Sequence, residues 1–79
     1  MILIDVRTKE EYEIRHINGS VHHDVANMMN GYLPEIEKDE AITVYCQSGG
    51  RSKIAKMILE KAGFQRITDA GSINNFTQQ

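Results

Sequence analysis

The sequence predicts an α/β domain built on a small, mostly parallel sheet of about four strands, with helices on both faces. Short apolar or β-branched runs suited to buried strands alternate along the chain with stretches of helical periodicity, and this alternation favours parallel strands joined by helices. The chain has 79 residues, of which 41% are hydrophobic and 25% charged. This length fits one small domain, so residues 1–79 are predicted to form a single unit.

The first elements are marked by one apolar run and one helix start. Met1–Ile4 is continuously apolar, as expected of a strand buried on both faces. Thr8 and Glu11 have the spacing of a capping box, which predicts a short helix that ends near Ile14. Gly19 closes the turn that follows, where glycine is free to adopt a positive φ.

Weaker signals follow this turn. Residues 20–22 are long enough for a small second strand, and the irregular, methionine-rich stretch 25–37 predicts one or two short helical turns.

The second half carries the clearest elements. Ala41–Tyr45 is β-branched and aromatic, which predicts a strand that leads directly into Cys46. Apolar residues at helical spacing predict a helix over Arg51–Ala62, capped by Gly63. Residues 67–68 predict a last strand, and a short segment carrying Ile73 and Phe76 ends the chain.

Composition excludes several classes of protein. A net charge of −2 is not that of a basic nucleic-acid surface, and no apolar run approaches the roughly 18 residues of a membrane span. The chain starts with no signal peptide, so a cytoplasmic location is expected, although a mature exported form is also compatible. One cysteine excludes both an internal disulfide and a zinc site built on several cysteines. No metal or cofactor is expected. Nothing in the sequence requires more than a monomer.

The strongest candidate for chemistry is Cys46, because it ends the clearest strand where a helix is about to begin. Ligands of parallel α/β sheets collect at this position. Gly49 and Gly50 let successive backbone N–H groups turn toward one point and form a cradle for an anion, and the helix dipole adds positive potential. The same field lowers the pKa of a thiol, so Cys46 is predicted to be a nucleophilic thiolate.

Both Cys46 and Arg51 have simpler explanations. Free cysteines are among the most buried residues, so Cys46 could serve packing alone. Arg51 could be a solvated charge, but a helix N-terminus disfavours a cation unless an anion lies nearby. Residues 1–40 carry a net charge of −5 and residues 41–79 carry +3, so Cys46 lies in the positive half.

Three motifs in order make the chain resemble the rhodanese family of sulfurtransferases over nearly its whole length. They are Ile4-Asp5-Val6-Arg7 with Glu11-Tyr12, then His16-Ile17-Asn18-Gly19, then Cys46-Gln47-Ser48-Gly49-Gly50-Arg51-Ser52. The resemblance implies a rhodanese-like fold in which Cys46 is the nucleophile. It also implies that Arg51 and the loop residues Gln47, Ser48, Gly49, Gly50 and Ser52 bind the substrate anion.

The resemblance further implies a reaction. Cys46 takes the sulfane sulfur of thiosulfate as a persulfide, releases sulfite, and passes the sulfur to cyanide or a thiol. A partner protein could also donate or accept the sulfur, which leaves open a persulfide carrier with little thiosulfate turnover of its own. Phosphatase relatives have a loop one residue longer, so the four residues between Cys46 and Arg51 favour sulfur transfer.

A second group of polar residues in the motifs is predicted to be structural. Asp5 and Arg7 are expected to form an internal polar network, with Glu11 as a possible third member, that holds the first strand to its helix.

Overall fold

The computed structural model describes residues 1–76. Four strands and three helices alternate along the chain, followed by a single 3₁₀ turn at Ile73–Asn75. In chain order these are β1 (Ile2–Asp5), α1 (Lys9–Ile14), β2 (Val21–His22), α2 (Val25–Met29), β3 (Ala41–Cys46), α3 (Gly50–Lys61) and β4 (Arg66–Ser72).

All four strands lie in one parallel sheet in the order β2-β1-β3-β4. The predicted α/β class with a small parallel sheet is therefore confirmed. β3 occupies an inner position between β1 and β4, so the strand that ends in Cys46 has a hydrogen-bonded neighbour on each side. The carboxyl ends of β1 and β4 consequently flank the cysteine, and both can contact the loop that follows it.

One face of the sheet carries the hydrophobic core. Even-numbered side chains of β1 and β3 point to this face because side chains alternate along a strand. They pack with α2 and α3, which also contact each other. The core consists of Ile4, Val6, Val25, Met28, Ile42, Val44, Cys46, Ala55, Leu59, Phe64 and Ile67.

The opposite face is more polar. Asp5, Arg7 and Tyr45 are buried there, and Phe76 packs edge-on against the Tyr45 ring at a centroid distance of 5.2 Å. The Tyr45 hydroxyl accepts a hydrogen bond from the Ile17 amide at 3.1 Å, which ties the turn before β2 to the sheet. This face therefore depends on side-chain hydrogen bonds as well as on apolar packing.

Local sequence signals account for most helix ends. The Thr8 side chain accepts from the Glu11 amide and the Glu11 carboxylate accepts from the Thr8 amide, so the predicted capping box is present. Gly19 and Gly63 have φ of +86° and +102°, as their turn and cap positions predict. α2 begins at Val25 because the Asp24 side chain accepts from the Ala26 amide, a cap that the irregular sequence pattern of this stretch did not reveal.

The last strand is longer than predicted. β4 extends to Ser72, with a register irregularity opposite Val44 and Tyr45. Val44 pairs with Asp69, whereas Tyr45 pairs with Gly71, so one extra residue is accommodated in β4. A β-bulge of this kind leaves no clear mark in a sequence pattern of period two.

Residues 1–76 contain neither a membrane-spanning helix nor a group of side chains suited to a metal ion. No helix in that range is long and apolar enough to cross a membrane. Nor does the same range bring together three or more His, Cys, Asp or Glu side chains in a way that could hold a metal ion.

Candidate active site

Cys46 ends β3, and the next residues form a tight loop that leads directly into α3. The Gly49 amide donates a hydrogen bond to Cys46 Sγ at 2.9 Å. Gly49 is the N-cap of α3 and has a φ of +107°, a conformation that favours glycine over other residues. The predicted glycine turn therefore exists, and it directs a backbone N–H group at the sulfur.

The environment of the sulfur favours its ionised form. Burial raises the pKa of the Cys46 thiol, but hydrogen bonds from the Ser52 hydroxyl and from the amides of Ser52, Gly49 and Ser48 lower it, and the net pKa is below its ordinary value. The Ser52 hydroxyl lies 3.1 Å from the Gly49 carbonyl, so its single proton serves either that oxygen or the sulfur. The backbone amides are consequently the stable part of this stabilisation.

Cys46 is also fully buried and belongs to the hydrophobic core, as a cysteine used only for packing would. Burial alone, however, does not require a donor at the sulfur. The hydrogen bond from Gly49 and the lowered pKa together favour a chemical role over a packing role.

Arg51 is paired within the protein. Its two terminal nitrogens donate to the two carboxylate oxygens of Glu11, at 2.7 and 3.0 Å, in a bidentate ion pair. The sequence predicts that Arg51 binds the substrate anion, and this stays a prediction; in the structure its guanidinium is paired with the Glu11 carboxylate. Glu11 also caps α1, so the pair joins the first helix to the start of α3.

This ion pair replaces part of the predicted polar network. Arg7 donates to Asp5 through its backbone amide, Nε and a terminal nitrogen, as predicted, but Glu11 bonds to Arg51 instead. Nothing in the local sequence predicts this pairing, because Glu11 and Arg51 are 40 residues apart and the capping box already accounts for the carboxylate.

Gln47 and the remaining loop residues have different positions. The Gln47 side-chain oxygen accepts from Arg7 at 3.1 Å, so this side chain faces β1. Ser48 and Gly50 are exposed, and Ser52 is buried at the start of α3. Residues 47–49 thus form the turn between β3 and α3, Gly50 and Ser52 lie in the first turn of α3, and the Arg51 guanidinium is bonded to Glu11 of α1.

A groove of about 620 Å³ lies elsewhere, beside the edge strand β2. Its lining contains none of the predicted loop residues, and consists of Ile2, Val21, His22, His23, Asp24, Asn27, Tyr32, Leu33, Glu35 and Ile36. No pattern in the sequence indicates this groove.

The Glu11–Arg51 pair should make stability depend on pH. Arg51 lowers the pKa of Glu11 from 4.5 to about 2. A carboxylate with a depressed folded-state pKa contributes stability above its unfolded pKa and loses it as the pH falls through the folded value. Because both side chains are about one-third exposed, at 35% and 32%, we expect a contribution of only about 1 kcal/mol, lost between pH 4.5 and 2.

Urea denaturation at a series of pH values tests this expectation. Glu11→Gln should flatten the loss of unfolding free energy over that range. Glu13→Gln is the control, because Glu13 makes only a 4.0 Å exposed contact with Lys9. Equal pH profiles for wild type and Glu11→Gln would contradict the assignment.

Comparison with known proteins identifies a family and several similar structures. The family described as Rhodanese-like domain matches residues 1–79. The thiosulfate sulfurtransferase PspE of Escherichia coli is 29% identical over 73 residues, covering 91% of this chain and 70% of PspE. A solved structure described as a rhodanese with anions from E. coli has a TM-score of 0.81 and 27% identity, covering 99% of this chain and 93% of that one.

Larger proteins also contain a similar stretch. The adenylyltransferase and sulfurtransferase UBA4 of Saccharomyces cerevisiae is 36% identical over 78 residues, covering 86% of this chain. The chain spans only 18% of the length of that yeast protein.

Proposed function

This chain belongs to the rhodanese-like family of sulfurtransferases, and from that premise we propose that it is a thiosulfate sulfurtransferase with Cys46 as its nucleophile. The observation that carries the proposal is the Gly49 amide directed at Cys46 Sγ, in a sulfur environment that lowers the thiol pKa. A thiolate held by backbone donors can attack without a separate general base.

In the first step the Cys46 thiolate attacks the outer, sulfane sulfur of thiosulfate. A new S–S bond forms on Cys46 while the S–S bond of thiosulfate breaks, and sulfite leaves with the electron pair. The loop amides stabilise the negative charge that builds up as sulfite departs. The thiolate and thiosulfate together carry three negative charges, as do the ionised persulfide and sulfite. The sulfane sulfur is already at the oxidation level of the outer sulfur of a persulfide, so no oxidant or reductant is needed.

In the second step cyanide or a thiol removes the stored sulfur. The acceptor attacks the outer sulfur of the persulfide, the S–S bond breaks, and the Cys46 thiolate is regenerated. Cyanide leaves as thiocyanate, whereas a thiolate acceptor leaves as a persulfide. Neither step requires a metal or a cofactor.

The role of Arg51 in this scheme is constrained by its partner. Because the guanidinium forms two hydrogen bonds with Glu11, it contributes positive potential near the loop while also holding α1 against α3. Four residues separate Cys46 and Arg51, and this short loop supports sulfur transfer over phosphate-ester hydrolysis.

A persulfide carrier is the second candidate. The yeast relative places a similar stretch within a much longer protein named as both an adenylyltransferase and a sulfurtransferase. A domain of that kind could receive sulfur from a partner enzyme and pass it on, with little thiosulfate turnover of its own.

Intact mass separates the two candidates. We expect wild-type protein to gain the mass of one sulfur atom on incubation with thiosulfate, and to lose it with release of thiocyanate on addition of cyanide. A mass that thiosulfate leaves unchanged, but that a cysteine desulfurase with cysteine increases by one sulfur, would contradict the sulfurtransferase proposal and favour the carrier.

A further inference from the structure

The outer side of the Cys46 loop is held by a residue from the last strand. Ser72 Oγ donates a hydrogen bond to the Gln47 backbone carbonyl at 2.7 Å. The same oxygen accepts from the Asn74 amide at 3.0 Å. The Asn74 amide is a donor and cannot receive the hydroxyl proton, so the single proton of the Ser72 hydroxyl is donated to Gln47.

The β-bulge brings Ser72 to this position. Val44 pairs with Asp69, so an uninterrupted register would place Gly71 opposite Cys46. The extra residue in β4 moves the register by one, and Ser72 becomes the partner of Cys46. A hydroxyl therefore stands beside the loop where the regular ladder would have placed a glycine without a side chain.

A held carbonyl also orients the amide next to it. The peptide bond is planar and trans, so its C=O and N–H groups point in opposite directions. When Ser72 draws the Gln47 carbonyl toward β4, the Ser48 N–H must point away from β4 and toward the inside of the loop. Cys46 Sγ accepts a hydrogen bond at 2.9 Å from the next amide along the loop, that of Gly49, and the Ser48 amide also contributes to lowering the thiol pKa.

We propose that Ser72 is a positioning residue for the nucleophile loop: its hydroxyl holds the Gln47 carbonyl outward and thereby aims the Ser48 amide at Cys46 Sγ. This inference rests on the proposed role of Cys46 as the nucleophile. Ser72 touches neither the sulfur donor nor the reacting sulfur, and acts through the orientation of one peptide plane.

The test is the rate of Cys46 alkylation by iodoacetamide as a function of pH, since Cys46 is the single cysteine of the chain. We expect Ser72→Ala to raise the midpoint of this profile by up to about one unit, a tenfold change in the ionisation equilibrium. Sulfur loading from thiosulfate at neutral pH should slow in parallel. Ser72→Thr, which keeps a hydroxyl, should restore both toward wild type.

Asn75→Ala is the matched control. Asn75 Nδ2 donates to the Ala70 carbonyl at 2.9 Å, so this variant loses a side-chain hydrogen bond of the same turn but none to the loop. Ser72→Ala loses the bond to Gln47 and the bond from the Asn74 amide. Its alkylation midpoint should equal that of wild type. Ser72→Gly, which also lacks the hydroxyl, takes the place of Ser72→Ala if the alanine variant does not fold.

Two results would overturn the inference: an unchanged midpoint in the folded variant that lacks the hydroxyl, or an equal shift in Asn75→Ala. Failure of the proposed function is seen separately, as wild-type protein that does not gain sulfur from thiosulfate. The comparison of alkylation midpoints decides the role of Ser72 in either case, because it uses no sulfur donor.

Discussion

Cys46→Ser is expected to abolish persulfide formation and to lower sulfur transfer from thiosulfate to cyanide by at least about 1,000-fold. A serine hydroxyl is not ionised at neutral pH, so the amides that stabilise the thiolate would face a neutral group and attack on the sulfane sulfur would fail. Intact mass after incubation with thiosulfate, together with thiocyanate release, measures both effects.

The single cysteine provides a control for this variant. Wild-type protein whose thiol has been alkylated should be as inactive as Cys46→Ser, since no other cysteine can carry sulfur. Far-UV circular dichroism verifies that the serine variant is folded. Thiocyanate release by folded Cys46→Ser at more than a small fraction of the wild-type rate would remove Cys46 from the mechanism.

Asp5→Ala is expected to lower the free energy of unfolding by about 3–5 kcal/mol. Asp5 is completely buried and its carboxylate accepts from Arg7 Nε at 3.0 Å and from a terminal nitrogen at 2.7 Å. Removing the carboxylate would leave the Arg7 guanidinium, itself 3% exposed, without a counter-charge. Domains are commonly stable by only about 5–15 kcal/mol, so the loss would be a large fraction of the total.

Urea denaturation followed by circular dichroism gives the measurement. Glu13→Ala is the control, because the Lys9–Glu13 pair is exposed and such helix pairs contribute only about 0.3–0.5 kcal/mol. A similar small change in Asp5→Ala and Glu13→Ala would show that the buried pair is not a major source of stability. Because Arg7 also donates to Gln47, the Asp5 variant should in addition loosen the Cys46 loop.

The features predicted well from the sequence are those encoded by neighbouring residues. The β-branched run before Cys46 and the helical spacing after Arg51 are local patterns. The observed bounds of β3 and α3 differ from the predicted bounds by no more than one residue at each end. The capping box of α1 is local as well. The strand, the glycine turn and the helix around Cys46 could therefore be predicted from the amino-acid sequence alone.

The contacts that hold the loop could not be predicted in the same way. Arg51 meets Glu11, and Gln47 meets Arg7, each across 40 residues of chain. Ser72 reaches Gln47 only because a bulge changes the register of β4. Partners of this kind depend on how strands are ordered in the sheet, and a single sequence does not show that order.

The way the loop is braced also determines when the thiol acquires its reactivity. Parallel strands cannot pair through a tight turn, so each pair must wait for a crossover to be folded. During synthesis Cys46 emerges well before Ser72, and until β4 has joined the sheet the loop lacks the hydrogen bond from Ser72 to the Gln47 carbonyl. A chain whose β4 has not yet paired can already direct the Gly49 amide at Cys46 Sγ but lacks the bond from Ser72, so we expect its thiol pKa to lie above that of the folded protein. The rate of Cys46 alkylation at neutral pH would then report whether β4 has joined the sheet.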